Sequence, residues 1–201
     1  MDTRAEELLL RLKGTGAFFR PRDVGPLGVS HAQIQHLVAE GAAERVARGL
    51  YRRSNIEPTE LETVAMISAA VPGAIVCLLT ALSFQGIGTQ LPHEVWIAIS
   101  RKSRKPTCPP ARVRVVRFSG VMLTHGVDEE IVQGVRVAIT SPTRTVVDCF
   151  RYRHKIGIDV ALEALADLVH SRKASIAEIA RTAEVCQVGT VMRPYLESLS
   201  S

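Results

Sequence analysis

The sequence predicts an α+β protein: an N-terminal winged helix-turn-helix followed by a mixed α/β domain with a small sheet and several helices. Three observations predict it. Short apolar-periodic runs with glycine stops fill the first forty residues, a two-strand pattern follows them, and the composition changes near residue 55. The expected domains are therefore residues 1–55 and residues 56–201. A chain of 201 residues, 46% of them hydrophobic, can bury one core and a smaller satellite, and 22% charged residues is ordinary for a globular protein.

Ala5, Leu8, Leu9 and Leu12 recur at helical spacing until Gly14 and Gly16 stop the run. A short second helix crosses Arg20-Pro21-Arg22-Asp23-Val24 and ends by Gly28. Ser30 then caps a third helix, because its hydroxyl can accept from amides two or three residues on, with Gln33 at the capping-box position. Ile34, Leu37 and Val38 point inward, and Gly41 ends the helix. Residues 43–46 and 50–53 are short strands that turn through Ala47-Arg48-Gly49. Beyond Pro58 a helix is expected over 59–71 and a second buried helix over 75–85. Strands are expected over 94–99, 112–118 and 134–139, then helices from Pro142 to Phe150, over 158–170 and over 175–184. Arginines alternate with valines in the strand from Arg112, which predicts one basic and one apolar face.

Charge is distributed unevenly. The chain carries +5 overall; residues 1–54 carry +3, 55–100 carry −4, 101–117 carry +7 and 118–201 carry −1. Arginine supplies most of the positive charge, and its planar fork suits phosphate and guanine. The stretch from Thr63 to His93 has no charge at all, but Pro72-Gly73 interrupts it and neither end is anchored by basic or paired aromatic residues. It reads as a buried helix pair rather than a membrane span. The four cysteines lie far apart, without zinc-ligand spacing or a disulfide framework, and the N-terminus is too polar for a signal peptide. A cytoplasmic protein is expected.

A capped helix with an outward N-terminus fits the major groove. Its candidate DNA contacts are Ser30, His31, Gln33, Gln35 and His36. Arg20 and Arg22 begin the helix before it, and Arg45, Arg48, Arg52 and Arg53 make the hairpin a basic wing suited to the backbone or minor groove. Arg101, Lys102, Arg104 and Lys105 form a basic loop that, with Arg112 and Arg114, offers a secondary basic surface for DNA or for an acidic or RNA-binding partner; a solvated loop is the plain alternative.

Ser141 and Pro142 make a good helix start, and Arg144 and Asp148 stand four residues apart. No lysine, histidine or second carboxylate joins them at catalytic spacing, so the pair is expected to lock helix to sheet. There is no Walker loop, dinucleotide fingerprint, His-Glu-x-x-His, Gly-x-Ser-x-Gly or nuclease-like acid-and-lysine strand. No catalytic residue, metal or cofactor is expected.

Phe18-Phe19-Arg20-Pro21-Arg22-Asp23-Val24, Gly28-Val29-Ser30, Gly41 and the run from Arg45 to Arg52 resemble the N-terminal winged helix of AbiEi-type antitoxins of type IV toxin-antitoxin systems. Leu79 to Ile87 and Ile139 to Asp148 are similar to the family's second domain, and the resemblance covers about residues 5 to 155. It implies an autorepressor that binds inverted repeats in promoter DNA of its own operon, as a dimer or as cooperative monomers. It also implies that the second domain counters a nucleotidyltransferase-like toxin. The alternative is a stand-alone transcriptional regulator whose second domain senses a ligand or oligomerises.

Overall fold

The computed structural model describes residues 2–199. They form two compact units. The first comprises Met1–Pro72 with Pro106–Ala111 and Glu130–Val137; the second comprises Gly73–Lys105, Arg112–Glu129 and Ala138–Ser201.

In the first unit, α1 (Thr3–Arg11) starts at Asp2, whose side chain accepts from the Arg4 amide, and buries Ala5, Leu8 and Leu9. A two-residue strand, β1 (Phe18–Phe19), leads into α2 (Pro21–Val24), and a further turn ends at Gly28 with φ +73°. There follow α3 (His31–Ala39), β2 (Ala43–Ala47), β3 (Leu50–Arg53) and α4 (Glu62–Ala70). The sheet order is β1-β3-β2, antiparallel throughout. Strand β1 carries no periodic signal in the sequence, because two phenylalanines cannot display alternation. Phe19 lies opposite Tyr51, their rings stacking at 5.7 Å, and both belong to the core formed with Leu8, Leu12, Ile34 and Leu37.

The turn Gln133-Gly134, both at positive φ, also belongs to this unit. The Gln133 carbonyl accepts from the Ala17 amide at 2.7 Å. Gly16 and Gly134 are pressed together so closely that a Cβ on Gly16 would lie 2.6 Å from the Gly134 carbonyl carbon.

The second unit begins with β4 (Ile75–Val76) and α5 (Leu78–Gln85), followed by β5 (Val95–Ser100) and β6 (Val113–Phe118). Next come β7 (Val127–Val132) and β8 (Val135–Thr140), of which residues 130–137 group with the first unit. Among the described residues five helices follow: α6 (Pro142–Arg151), α7 (Arg153–Ile156), α8 (Ile158–His170), α9 (Ile176–Val185) and α10 (Gly189–Leu199). The sheet order is β6-β5-β4-β8-β7.

Ile75 and Val76 correct the expected helix over 75–85. They form the central strand, antiparallel to Ile97 and Ala98 on one side and parallel to Ala138 and Ile139 on the other. Two β-branched residues between Pro72-Gly73 and the helix gain more from ladder hydrogen bonds on both sides than from a frayed first turn. The expected basic and apolar faces of β6 are corrected too. Arg112 and Arg114 are exposed, but Val116 and Phe118 on the same face are buried, so the division runs along the strand and not across it. Among the described residues no helix is long and apolar enough to cross a membrane.

Candidate nucleic-acid interface

Helix α3 is built as the sequence expects. Ser30 Oγ accepts from the Gln33 amide at 3.3 Å, while Gln33 Oε1 accepts from the Ser30 amide at 2.8 Å. This reciprocal cap satisfies two amides that the helix cannot. It also commits the Gln33 carbonyl, so the role of Gln33 here is to shape the helix start. Ile34 and Leu37 anchor the inner face.

The outer face is therefore Ala32, Gln35 and Ala39, one, two turns apart, all exposed, with His31 at its N-terminal edge. The alanines were legible from the same periodicity that assigned Ile34 inward, yet contribute no polar signal; they leave room for close approach. Gln35 Nε2 donates to Tyr51 Oη at 3.2 Å, which aims the side chain from the sheet side. His36 is half-buried, its Nε2 lying 3.4 Å from Asp2 Oδ2, so it faces α1 instead of the outer face.

The wing arginines separate into two pairs. Arg45 and Arg48 are exposed; Arg45 Nε donates to the Ala47 carbonyl at 3.4 Å, and Arg48 stands at the tip beside Gly49, whose φ is +69°. A register shift between Arg45 and Ala47 bends the hairpin there. Arg52 and Arg53 do not join them. Arg52 pairs with Glu62 at 2.5 Å and donates to the Ile56 carbonyl at 2.8 Å, tying the wing to the start of α4. Arg53 is only 6% exposed and donates to the carbonyls of Leu12 and Thr15. Both bind the wing's base, because β3 is the central strand and its neighbours cover it.

Arg20 is likewise spent, donating to the Ala69 carbonyl at the end of α4; burial is the main cause that lowers its pKa, with Arg22 adding to it. Arg22 is exposed, 3.6 Å from Asp23. The residues that remain on the surface as candidate contacts are Arg22, Ser30, His31, Gln35, Arg45 and Arg48.

In the second unit Arg101, Lys102, Arg104, Lys105, Arg112 and Arg114 are all exposed. Arg117 holds the loop to β6 by donating to the carbonyls of Ser100 at 2.9 Å and Ser103 at 2.5 Å. Arg114 lies over the Trp96 ring at 5.0 Å and 3.5 Å from Glu94. The basic loop is thus fastened at its root rather than loose.

Ser141 caps α6 as expected, accepting from the Arg144 amide. Arg144 and Asp148 pair at 3.0 Å. The arginine also donates to the carbonyls of Met122 and His125, so it locks the helix to the segment before β7; the link to the sheet is made by Thr140 and Thr145, whose hydroxyls meet at 2.7 Å. Burial pushes the Asp148 carboxyl up to about 6 against the opposing pull of Arg144. Among the described residues no group of His, Cys, Asp and Glu is placed to hold a metal ion.

A family model described as "Transcriptional regulator, AbiEi antitoxin" matches residues 6–54, and one described as "AbiEi antitoxin C-terminal domain" matches residues 74–196. Among curated proteins none matches. The crystal structure of the RV2827C protein from Mycobacterium tuberculosis is similar in fold, with a TM-score of 0.56 and 14% identity over 92% of this chain and 72% of that one. With the second model spanning more than half of its length, the chain belongs to the AbiEi antitoxin family, a transcriptional-regulator domain preceding the antitoxin C-terminal domain.

Proposed function

We propose that this antitoxin represses its own operon by binding inverted repeats in promoter DNA through α3 and the wing, and that its C-terminal domain neutralises a nucleotidyltransferase-like toxin. The observation that carries the DNA reading is the shared exposure of Gln35 on the outer face of α3 and of Arg45 and Arg48 on the adjoining hairpin. A glutamine can read an adenine edge, and the arginines supply sequence-independent attraction to phosphate. Arg22 and the α3 start extend the phosphate contacts. The rooted basic loop with Arg112 and Arg114 is a secondary basic surface of the second unit, suited to DNA or to an acidic partner. Inverted repeats would take two copies, as a dimer or as cooperative monomers. No catalytic step is part of this reading.

The test has two arms. Purified protein is titrated with a duplex of its upstream region and with a scrambled duplex; a preference for the former is expected, and equal binding would remove the repressor reading. Separately, the chain is co-expressed with a nucleotidyltransferase-like protein encoded beside it. Rescue of growth is expected, and continued toxicity would remove the neutralisation reading without touching the first.

A further inference from the structure

Arg53 is a nearly buried guanidinium that no carboxylate pairs with among the described residues. Its three partners are neutral: the Leu12 carbonyl at 2.7 Å, the Thr15 carbonyl at 3.2 Å and Asn55 Oδ1 at 3.2 Å. The two carbonyls close the end of the first helical segment and contribute only partial negative charge. Burial lowers the Arg53 pKa, as expected of a cation whose hydration has been removed without a counter-ion. This side chain lines a cavity of about 300 Å³ that opens on the surface of the first unit, together with Glu6, Leu9, Leu10, Lys13 and Asn55.

The cavity is polarised along α1. Leu9 and Leu10 form an apolar wall, and Leu10 is 57% exposed. Lys13 stands at the end beside the Leu12 carbonyl to which Arg53 is bound. Glu6 is seven residues earlier, about 10 Å along the helix axis. One end thus carries two cations and an amide, the middle is hydrocarbon, and the far end is negative.

We propose that this cavity binds a small monocarboxylate with an apolar body, its carboxylate against Arg53 and Lys13 and its stem along Leu9 and Leu10. An anion here receives what the buried guanidinium lacks, and charge-assisted hydrogen bonds in a partly desolvated site are stronger than in water. The volume is at the lower end of the range, about 300–1,000 Å³, that small-molecule pockets occupy. Glu6 selects against a dicarboxylate, whose second charge would be brought towards its own. The site shares no residue with the outer face of α3, so the proposal does not rest on promoter binding.

The full chain, without DNA, is titrated calorimetrically with hexanoate, hexan-1-ol, hexylamine and adipate. Hexanoate is expected to bind one to one and to raise Tm; the alcohol and the amine are not, and adipate binds about tenfold more weakly, the effect of one repulsive contact of roughly 1.4 kcal/mol. Leu10→Glu and Lys13→Glu alter exposed side chains, so they should fold normally and lower hexanoate affinity about tenfold or more by the same conversion. Glu6→Gln should bring adipate up to the level of hexanoate. No heat from hexanoate at millimolar concentration, or equal binding by the two Glu variants and the parent, overturns the proposal. A leucine-ended peptide with a free terminal carboxylate is the last arm. If it binds far more tightly than hexanoate and than its amidated form, the ligand is a polypeptide terminus and the small-molecule assignment fails.

Discussion

The Arg144 guanidinium and the Asp148 carboxylate meet at 3.0 Å across one turn of α6, and neither side chain is reached by solvent. The pair costs hydration on both sides; the carbonyls of Met122 and His125 offset it for Arg144, while Asp148 Oδ1 stays buried without a hydrogen-bond partner among the described residues, so the pair's value lies in fixing where the segment before β7 can sit. Removing one member is worse than having neither. Arg144→Leu should destabilise the protein by about 3–5 kcal/mol, because it strands a buried carboxylate. Denaturant unfolding of the variant measures it.

The same carboxylate gives a pH dependence whose sign is unusual for an ion-paired acid. Its folded pKa, about 6, lies above the ordinary carboxylate value. The folded state therefore holds the proton more tightly, and the stabilisation it brings is complete below the unfolded pKa and lost as pH rises through 6. Asp148→Asn lacks this linkage. The stability of the parent relative to that variant should grow as pH is lowered from about 7 to about 5, by roughly 1 kcal/mol. A constant difference between the two proteins across that interval would refute the raised pKa.

Arg48 and Arg53 should behave oppositely although five residues apart. Arg48→Ala is expected to leave Tm unchanged, weaken binding to every duplex alike and lower the salt slope by about one. Arg53→Ala should lower stability by roughly 1–3 kcal/mol, because it takes the guanidinium away from the Thr15 carbonyl and from Asn55 and leaves the Leu12 carbonyl only its Thr15 donors. Thermal melts and salt titrations on both variants separate the roles.

Arg52 and Glu62 connect the wing to α4 and are 13% and 26% exposed at their side chains. A double-mutant cycle with Arg52→Ala and Glu62→Ala should return a coupling of about 1–2 kcal/mol, above the usual surface pair because the partners are partly shielded. A coupling near zero would reduce the pair to a surface contact.

Gly16→Ala should be among the most damaging single-methyl additions in the chain. Its Cβ would fall 2.6–2.7 Å from the backbone of Gly134 and Val135, atoms that cannot rotate away. A loss of about 2 kcal/mol or more is expected from such overpacking, read as a lowered Tm. Gly25→Ala, with open space around it, is the control.

Gln33 and Gln35 test the division of labour on α3. Gln33→Ala should cost about 0.5–1 kcal/mol of stability through the lost cap and leave sequence preference intact. Gln35→Ala should preserve stability and relax the preference at one base position, which selection from a randomised duplex would detect.

What the sequence by itself determined is local. The reciprocal cap of Ser30 and Gln33, the stops at Gly28 and Gly41, the hairpin through Arg48-Gly49 and the pairing of Arg144 with Asp148 each depend on residues within four or five positions, and backbone sterics and helix periodicity settle such relations. Only the tertiary structure decided which basic residues face outward. Arg45, Arg48, Arg52 and Arg53 read alike as text, yet Arg52 and Arg53 lie on a strand flanked on both sides, one partnered by Glu62 and the other by carbonyls some forty residues earlier. The two-residue strands at Phe18–Phe19 and Ile75–Val76 belong to the same class. They are too short to show alternation and exist because distant strands supply hydrogen-bond partners, a term that no local pattern contains.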